Sequence, residues 1–256
     1  VKFNLDGMRR KQPPAPAIVP QTDGERLAHL FDLASLSQPV RSDNEARIRG
    51  LCHNAFLGGE TSLCRVLGRY KIFVDTGDVG LSTHLLIDGY WKMWATEAMQ
   101  QIVRPGWTAV DVGANLDYFT LLLADLVGAN GQVLAFEPNP FTVARLRRSV
   151  AVNGFGGRTI VHDTALSDAE GVACLVVPPG EPKNSHITAP CKDGIVVRRQ
   201  RLDSYDVVPD FIKIDAEGAE EAVWRGMTRI LAAPRPLTIL VEYVLDRYAD
   251  PGLFLD

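Results

Sequence analysis

The sequence predicts an α/β fold, a mostly parallel sheet with helices on both faces, preceded by an N-terminal extension of short strands and helices. Three observations predict it. From residue 107 onward, short apolar runs alternate with segments of helical period, the pattern of a parallel sheet with crossover helices. The first apolar run ends in small residues, Gly113-Ala114-Asn115, that lead straight into a helix. The second ends in an acid and a proline, Glu137-Pro138.

The elements follow in order. Residues 1–22 read as a flexible lead, with Pro13, Pro14, Pro16 and Pro20 close together. Over 23–58 the periodicity is mixed and helical in part, with Leu27, Leu30, Phe31 and Leu33 on one side. Residues 64–74 read as two short strands about a Gly turn, and 84–87 as a further short strand. Helical spacing resumes over 91–103, with Trp94, Ala95, Ala98 and Ile102 on one face, and Arg104-Pro105-Gly106 stops it. Strands at 107–112, 133–136, 158–161, 211–214 and 237–241 then alternate with helices at 118–126, 141–152 and 220–231. An insertion separates the third and fourth of these strands. Its segments 172–177 and 195–199 read as a hairpin around a long Pro/Gly-rich loop, part of a lid or sheet edge. Asp-Val-Gly occurs at 78–80 as well as 111–113, but only the second follows a buried strand. Asp75 and Asp78, flanking Gly77, are read as turn residues. The expected division is a lead (1–22), an extension that is a candidate substrate cap (23–104) and a sheet domain (105–256).

Composition narrows the functions. An apolar fraction of 46% supports a full core. A net charge of −4 gives no field for nucleic acid or an anionic membrane. The basic clusters Arg145-Leu146-Arg147-Arg148 and Arg198-Arg199-Gln200-Arg201 read as a solvated helix face and strand end. Cys52, Cys64, Cys174 and Cys191 form no CxxC pair, so unpaired thiols in a reducing compartment and no metal are expected. The first residues lack the apolar stretch of a signal peptide, and no apolar run reaches spanning length, so the expected location is cytoplasmic.

The chemistry concentrates at the strand exits. Ligands of open parallel sheets bind outside the carboxyl ends of the strands. Asp111 sits near the end of a buried strand and needs a partner there. Glu137, about 20 residues beyond the Gly loop, stands where an acid accepts hydrogen bonds from both ribose hydroxyls. The loop lacks G-x-G-x-x-G and carries Asp117, so it suits a zwitterion with a sulfonium charge better than a pyrophosphate.

A second cluster lies at 210–220. A side-chain period of two puts Lys213 and Asp215 on one face, and Glu217 follows in the turn. Three ionisable groups there are costly unless compensated. Asp215 or Glu217 is a candidate general base and Lys213 a candidate for orienting the acceptor or stabilising an alkoxide. A metal held by these carboxylates and a structural ion-pair network are the alternatives. His186, on the long loop, is a further candidate base or a plain surface residue. Tyr90, Trp91 and Trp94 pack over the site or belong to the core.

These residues resemble the FkbM-type family of methyltransferases that use S-adenosylmethionine (SAM). The carrying segments are Asp111-Val112-Gly113-Ala114-Asn115, Phe136-Glu137-Pro138-Asn139, Ala165-Leu166-Ser167-Asp168, Leu202-Asp203-Ser204 and the run 210–220, with Glu242 also fitting. They keep the expected order over about 88–245, and 213–220 is the most specific piece. The resemblance implies a Rossmann-like class I methyltransferase fold and O-methylation of a hydroxyl on a sugar, glycolipid or natural product. It implies that Asp111, Gly113, Ala114, Asn115, Asp117 and Tyr118 surround the methionine and ribose parts of SAM. Glu137, with Pro138 and Asn139, would take the ribose, Asp163, Ala165 and Leu166 the adenine, and Lys213, Asp215 and Glu217 would line the pocket near the methyl.

Two departures stand out. Asp117 occupies a position where the family has Gly, so its carboxylate either contacts the SAM amino group or obstructs the site. The chain also stops at Asp256, where the family fold runs on into further strands. Either strands are truncated or those near 62–90 supply the missing edge. A catalytically impaired scaffold and a nucleotide- or NAD-dependent enzyme are the competing readings. Expected partners are a small-molecule or glycan acceptor, with no nucleic acid, no membrane insertion, and a homodimer as an allowed state.

Overall fold

The computed structural model describes residues 30–38, 40–188 and 191–248. The Pro-rich lead, Leu27 and the last residues of the chain lie outside them. After a 3-10 turn at Leu33–Ser37 come helix α1 (Arg41–Leu51) and strands β1 (Asn54–Gly58), β2 (Thr61–Val66) and β3 (Tyr70–Asp75). These strands form an antiparallel sheet in the order β1-β2-β3. Helices α2 (Leu81–Ile87) and α3 (Met93–Ile102) complete the extension. The expected strand at 84–87 is therefore helical. Asp78 is the cause. It is buried, and its two carboxylate oxygens accept from the backbone N–H of Gly80 (2.8 Å) and Ser82 (2.9 Å), capping α2 while Leu81 and Leu85 bury one face. Asp75 is the turn residue expected, accepting from the Gly77 N–H at 2.9 Å. Helix α3 buries Ala95 and packs Ile102 on the core as expected, adds Met93, Thr96 and Met99 to the buried face, and turns Trp94 outward.

The sheet domain follows as β4 (Thr108–Val112), α4 (Tyr118–Leu126), β5 (Gln132–Phe136), α5 (Pro140–Val152) and β6 (Thr159–His162). The insertion adds β7 (Thr164–Leu166), β8 (Gly171–Val176), β9 (His186–Thr188) and β10 (Ile195–Gln200). The chain returns through β11 (Phe211–Ile214), α6 (Glu220–Arg225), α7 (Thr228–Leu231) and β12 (Thr238–Val241). Five strands make a parallel sheet in the order β12-β11-β4-β5-β6, reversing beside β4. That reversal opens the crevice in which such sheets take ligands.

Period two sorts the sheet's side chains. Val110, Val112, Leu134, Phe136, Ile212 and Ile214 pack on Val223, Met227 and Ile230 of α6, α7 and their junction. Ala109, Val133, Ala135 and Phe211 face the other way, onto α4 and α5. Helix α4 is buried all round because the extension covers its outer side; Leu121, Leu122 and Leu123 are fully buried. Each such leucine contributes about 1.5–3 kcal/mol. Phe31, Ile48, Met99, Leu122 and Phe211 share one core, so extension and sheet domain are packed as one body.

The helix expected over 220–231 is broken at Gly226, whose backbone presses on the 167 loop. A Cβ there would lie 2.0 Å from the Ser167 carbonyl oxygen. The insertion is more than a hairpin: β9 adds to β8 and β7 to β10, giving a four-stranded sheet β7-β10-β8-β9. Cys174 and Cys191 form a disulfide, correcting the expectation of unpaired thiols, while Cys52 and Cys64 are free. Strands β1–β3 do not extend the five-stranded sheet. They form their own sheet and dock on α5. Two arginines of α5 hold that contact, while Arg147 and Arg148 are exposed as expected of a solvated face. Arg145 pairs with Asp75 at 2.7 Å, and the Arg148 guanidinium lies 3.9 Å from the centre of the Phe73 ring. No helix among the described residues is long and apolar enough to cross a membrane.

Candidate active site

The loop after β4 is shaped by contact with β11. Gly113 has φ 71°, and a Cβ on it would lie 1.9 Å from the Asp215 carbonyl oxygen, so only glycine fits. The Gly113 and Ala114 N–H groups both donate to the Phe136 carbonyl at 3.0 Å. Lys213 fastens the loop from below. Its ammonium donates to the Gly113 (2.8 Å) and Val112 (3.3 Å) carbonyls and lies 3.0 Å from an Asp111 carboxylate oxygen. Asp111 and Lys213 are register partners on adjacent strands, so they meet with opposite charge on one face. The other Asp111 oxygen accepts from the Thr120 hydroxyl at 2.6 Å. Burial would lower the Lys213 ammonium, but Asp111 and Asp215 outweigh it and raise it.

Glu137 stands at the end of β5 and links this loop to α5. Its oxygens accept from the N–H of Asn115 (2.9 Å) and of Asn139 (2.8 Å). Asn139 in turn caps α5, accepting from the Phe141 N–H at 3.1 Å. Burial pushes the Glu137 carboxyl up to about 7, against the pull of the two N–H donors and Lys213.

These elements border a cleft of about 960 Å³, part of it open to solvent. Gly113, Ala114, Asn115, Tyr118, Glu137 and Pro138 line one part of it, and Ala165 and Leu166 line it beside Thr164. Lys213, Asp215 and Glu217 line it from β11 and its exit, and His186 from β9. Four of the expected residues do not line it. Asp111 is buried beneath the loop, Asn139 acts through Glu137, and Asp163 lies off the cleft. Asp117 is fully buried with φ 70° and lies near Ser149 and Cys64, on the extension side of α4. Its backbone adopts the left-handed turn that Gly would supply, while its carboxylate neither enters nor obstructs the cleft. Burial, with Asp111 nearby, raises this carboxyl well above the usual range.

Sequence reasoning missed Lys92, Lys183 and Ser185, which also line the cleft. Trp91 lines it as well, so this aromatic serves site and core together. Lys92 reaches across from the extension, pairing with Asp215 at 3.0 Å and with Glu242. Burial alone would raise the Asp215 carboxyl, but Lys213 and Lys92 outweigh it and hold it below its ordinary value. Glu242 is raised by burial and by the Asp215 charge, and Glu217 likewise. Glu217 is paired with Arg247 at 2.5 Å. Glu220 closes the turn before α6, accepting from Ala216 N–H (2.8 Å) and Gly218 N–H (3.0 Å). Nothing local in the sequence marks Lys92, because its partners are over 120 residues away. Among the described residues, no three His, Cys, Asp or Glu side chains gather as a metal site.

A parallel sheet that reverses beside β4, a glycine turn at that strand's exit and an acid at the end of β5 together define a Rossmann-like architecture, which class I methyltransferases share with dinucleotide enzymes. A model of the methyltransferase FkbM domain matches residues 111–256. The chain belongs to the FkbM methyltransferase family, whose cofactor is SAM. The structure is similar to methyltransferase FkbM from Methylobacillus flagellatus KT, at 19% identity and TM-score 0.39, over 57% of this chain and 42% of that one. It is also similar to a SAM-dependent methyltransferase from Aquifex aeolicus (16% identity, TM-score 0.40, 62% and 75% covered). A third similar structure is precorrin-6y C5,15-methyltransferase from Geobacter metallireducens GS-15 (17% identity, TM-score 0.39, 60% and 63% covered). The matched part thus spans less than half of the Methylobacillus protein. A search of curated proteins gave no match.

Proposed function

We propose that this chain methylates a hydroxyl oxygen of a sugar, glycolipid or other hydroxylated natural product, with SAM as donor. The observation that carries the reading is one cleft that holds both a cofactor cradle and, on a separate strand, an imidazole. The residues fit the cofactor. Gly113 presents bare backbone where a Cβ would clash, and Glu137 offers a carboxylate whose position two N–H groups fix. Gly113, Ala114 and Asn115 would hold the methionine and ribose parts, Glu137 the ribose hydroxyls, and Ala165 and Leu166 the adenine. When bound, SAM supplies an electrophilic methyl group on a sulfonium.

The chain's own task is to orient the acceptor and remove its proton. His186 is our candidate for that proton. Its Nδ1 lies 3.2 Å from the Asn184 carbonyl oxygen, and a proton on Nδ1 donated there leaves Nε2 free to accept. Lys213, committed to two carbonyls and Asp111, holds the loop in place of stabilising an alkoxide. Asp215, kept ionised by Lys92 and Lys213, is a weak base, and Glu217 is the second candidate. Because the Asp117 carboxylate lies off the cleft, it gives no support to the impaired-scaffold reading.

Calorimetric titration with S-adenosylhomocysteine tests the cradle. Glu137→Ala should weaken binding by about 1–3 kcal/mol through loss of charged hydrogen bonds; unchanged affinity removes Glu137 from the site. Once an acceptor is found by mass spectrometry on a hydroxylated panel, His186→Asn should lower kcat by about 10²–10⁴-fold. An undiminished rate would reassign the proton to Glu217.

A further inference from the structure

The carboxylates that line the cleft are already engaged. Glu137 is held by two N–H groups, Asp215 by Lys92, and Glu217 by Arg247. Of the cations, Lys92 and Lys213 are spent on Asp215, Glu242 and Asp111. Lys183 differs. It lines the same cleft, yet among the described residues no carboxylate forms a salt bridge with it.

This lysine is also held in place. It sits in a 3-10 turn, Pro182–Asn184, on the long loop of the insertion. The loop is tied to the extension by the Val79 N–H donating to the Gly180 carbonyl at 2.9 Å. The aliphatic stem lies flat on Gly80, where a Cβ would come within 2.7 Å of the lysine Cε and 2.9 Å of its Cδ. The ammonium stands 5.6 Å from the centre of the Trp91 ring, within cation–π range. A long side chain pinned by backbone and aromatic contacts has already lost much of its rotamer freedom, so an anion meeting it pays less ordering cost.

We propose that Lys183 forms an anion-binding subsite at the cleft, so that the acceptor carries a carboxylate or phosphate group beside the hydroxyl that is methylated. This rests on the methyl-transfer reading above and narrows it to an acidic or phosphorylated hydroxylated acceptor. The glycine at 80 is part of the device, since any side chain there would displace the lysine stem.

Binding is measured without turnover, by titrating the S-adenosylhomocysteine-loaded protein with matched pairs: methyl glucoside against methyl glucuronide, and glucose against glucose 6-phosphate. The anionic member of at least one pair should bind about tenfold or more tightly, as a charged hydrogen bond gives. Which pair responds separates carboxylate from phosphate. The preference should fall toward equality in Lys183→Met and persist in Lys183→Arg, with thermal melting as the folding control. Equal binding within both pairs, no binding by any member, or a preference that survives Lys183→Met would overturn the proposal. Failure of S-adenosylhomocysteine itself to bind the wild-type chain would instead sink the methyl-transfer reading, and the two results are read from separate titrations.

Discussion

Glu137 and Asp117 show how two carboxyls of similar burial come to different uses. Glu137 accepts two backbone N–H groups and lines the cleft, while Asp117 is buried beside Ser149 with its backbone in a left-handed turn. The place of Glu137 on the cleft was legible because an acid at a strand end, after a glycine loop, is a local pattern. The fate of Asp117 was not, because whether a side chain enters a cleft depends on what packs behind it. The raised Glu137 carboxyl has a pH consequence. Its folded-state value of about 7 exceeds the ordinary 4.5, so its contribution to stability is full below about 4.5 and is lost as pH rises through 7. The loss is on the order of 3 kcal/mol for the cofactor-free protein, and chemical denaturation at pH 5 and pH 8 should show it. Glu137→Gln should flatten that difference; an unchanged pH dependence would mean another group carries it. Ribose hydroxyls donate to the ionised form, so S-adenosylhomocysteine affinity should rise over the same interval.

At the scale of elements, the parallel strands and their helices were readable because each carries its own period and its own stop. The residues at 84–87 were misread as a strand because the capping role of Asp78 shows only when its carboxylate meets the N–H groups of Gly80 and Ser82. The four-stranded insertion was half seen. Its hairpin has local alternation, whereas β7 pairs in parallel with β10 across a long sequence gap and leaves no local trace. Gly113 is the tightest joint between elements. Gly113→Ala should destabilise the chain by about 1–3 kcal/mol, since neither the Asp215 carbonyl nor the strained φ can yield cheaply. It should also abolish S-adenosylhomocysteine binding, read by denaturation and calorimetry on the same preparation. A variant that folds and binds normally would show that the β4 loop is softer than its contacts imply.

Across the whole molecule, extension and sheet domain meet along the free edge of β3. The N–H of Phe73 donates to the Ser149 hydroxyl at 2.9 Å, and Asn153 both accepts from the Lys71 N–H (2.9 Å) and donates to the Lys71 carbonyl (2.6 Å). Side chains of α5 and its end thus take the place of a fourth strand. Ser149→Ala should cost about 1–3 kcal/mol, because the part-buried Phe73 N–H is left unpaired, and Asn153→Ala about 1 kcal/mol or less, because water reaches the exposed Lys71 groups. Urea unfolding should remain a single transition in both, given the shared core. Two transitions would show that extension and sheet fold apart.

The same joint sets an order of events during synthesis. Lys71 leaves the ribosome 82 residues before Asn153, its partner. At about 5–20 residues per second, the small antiparallel sheet waits roughly 4–16 s with an open strand edge before α5 arrives to cover it. In that interval the nascent chain presents unpaired backbone to its neighbours. Chaperone demand on this protein should therefore be concentrated between completion of β3 and completion of α5.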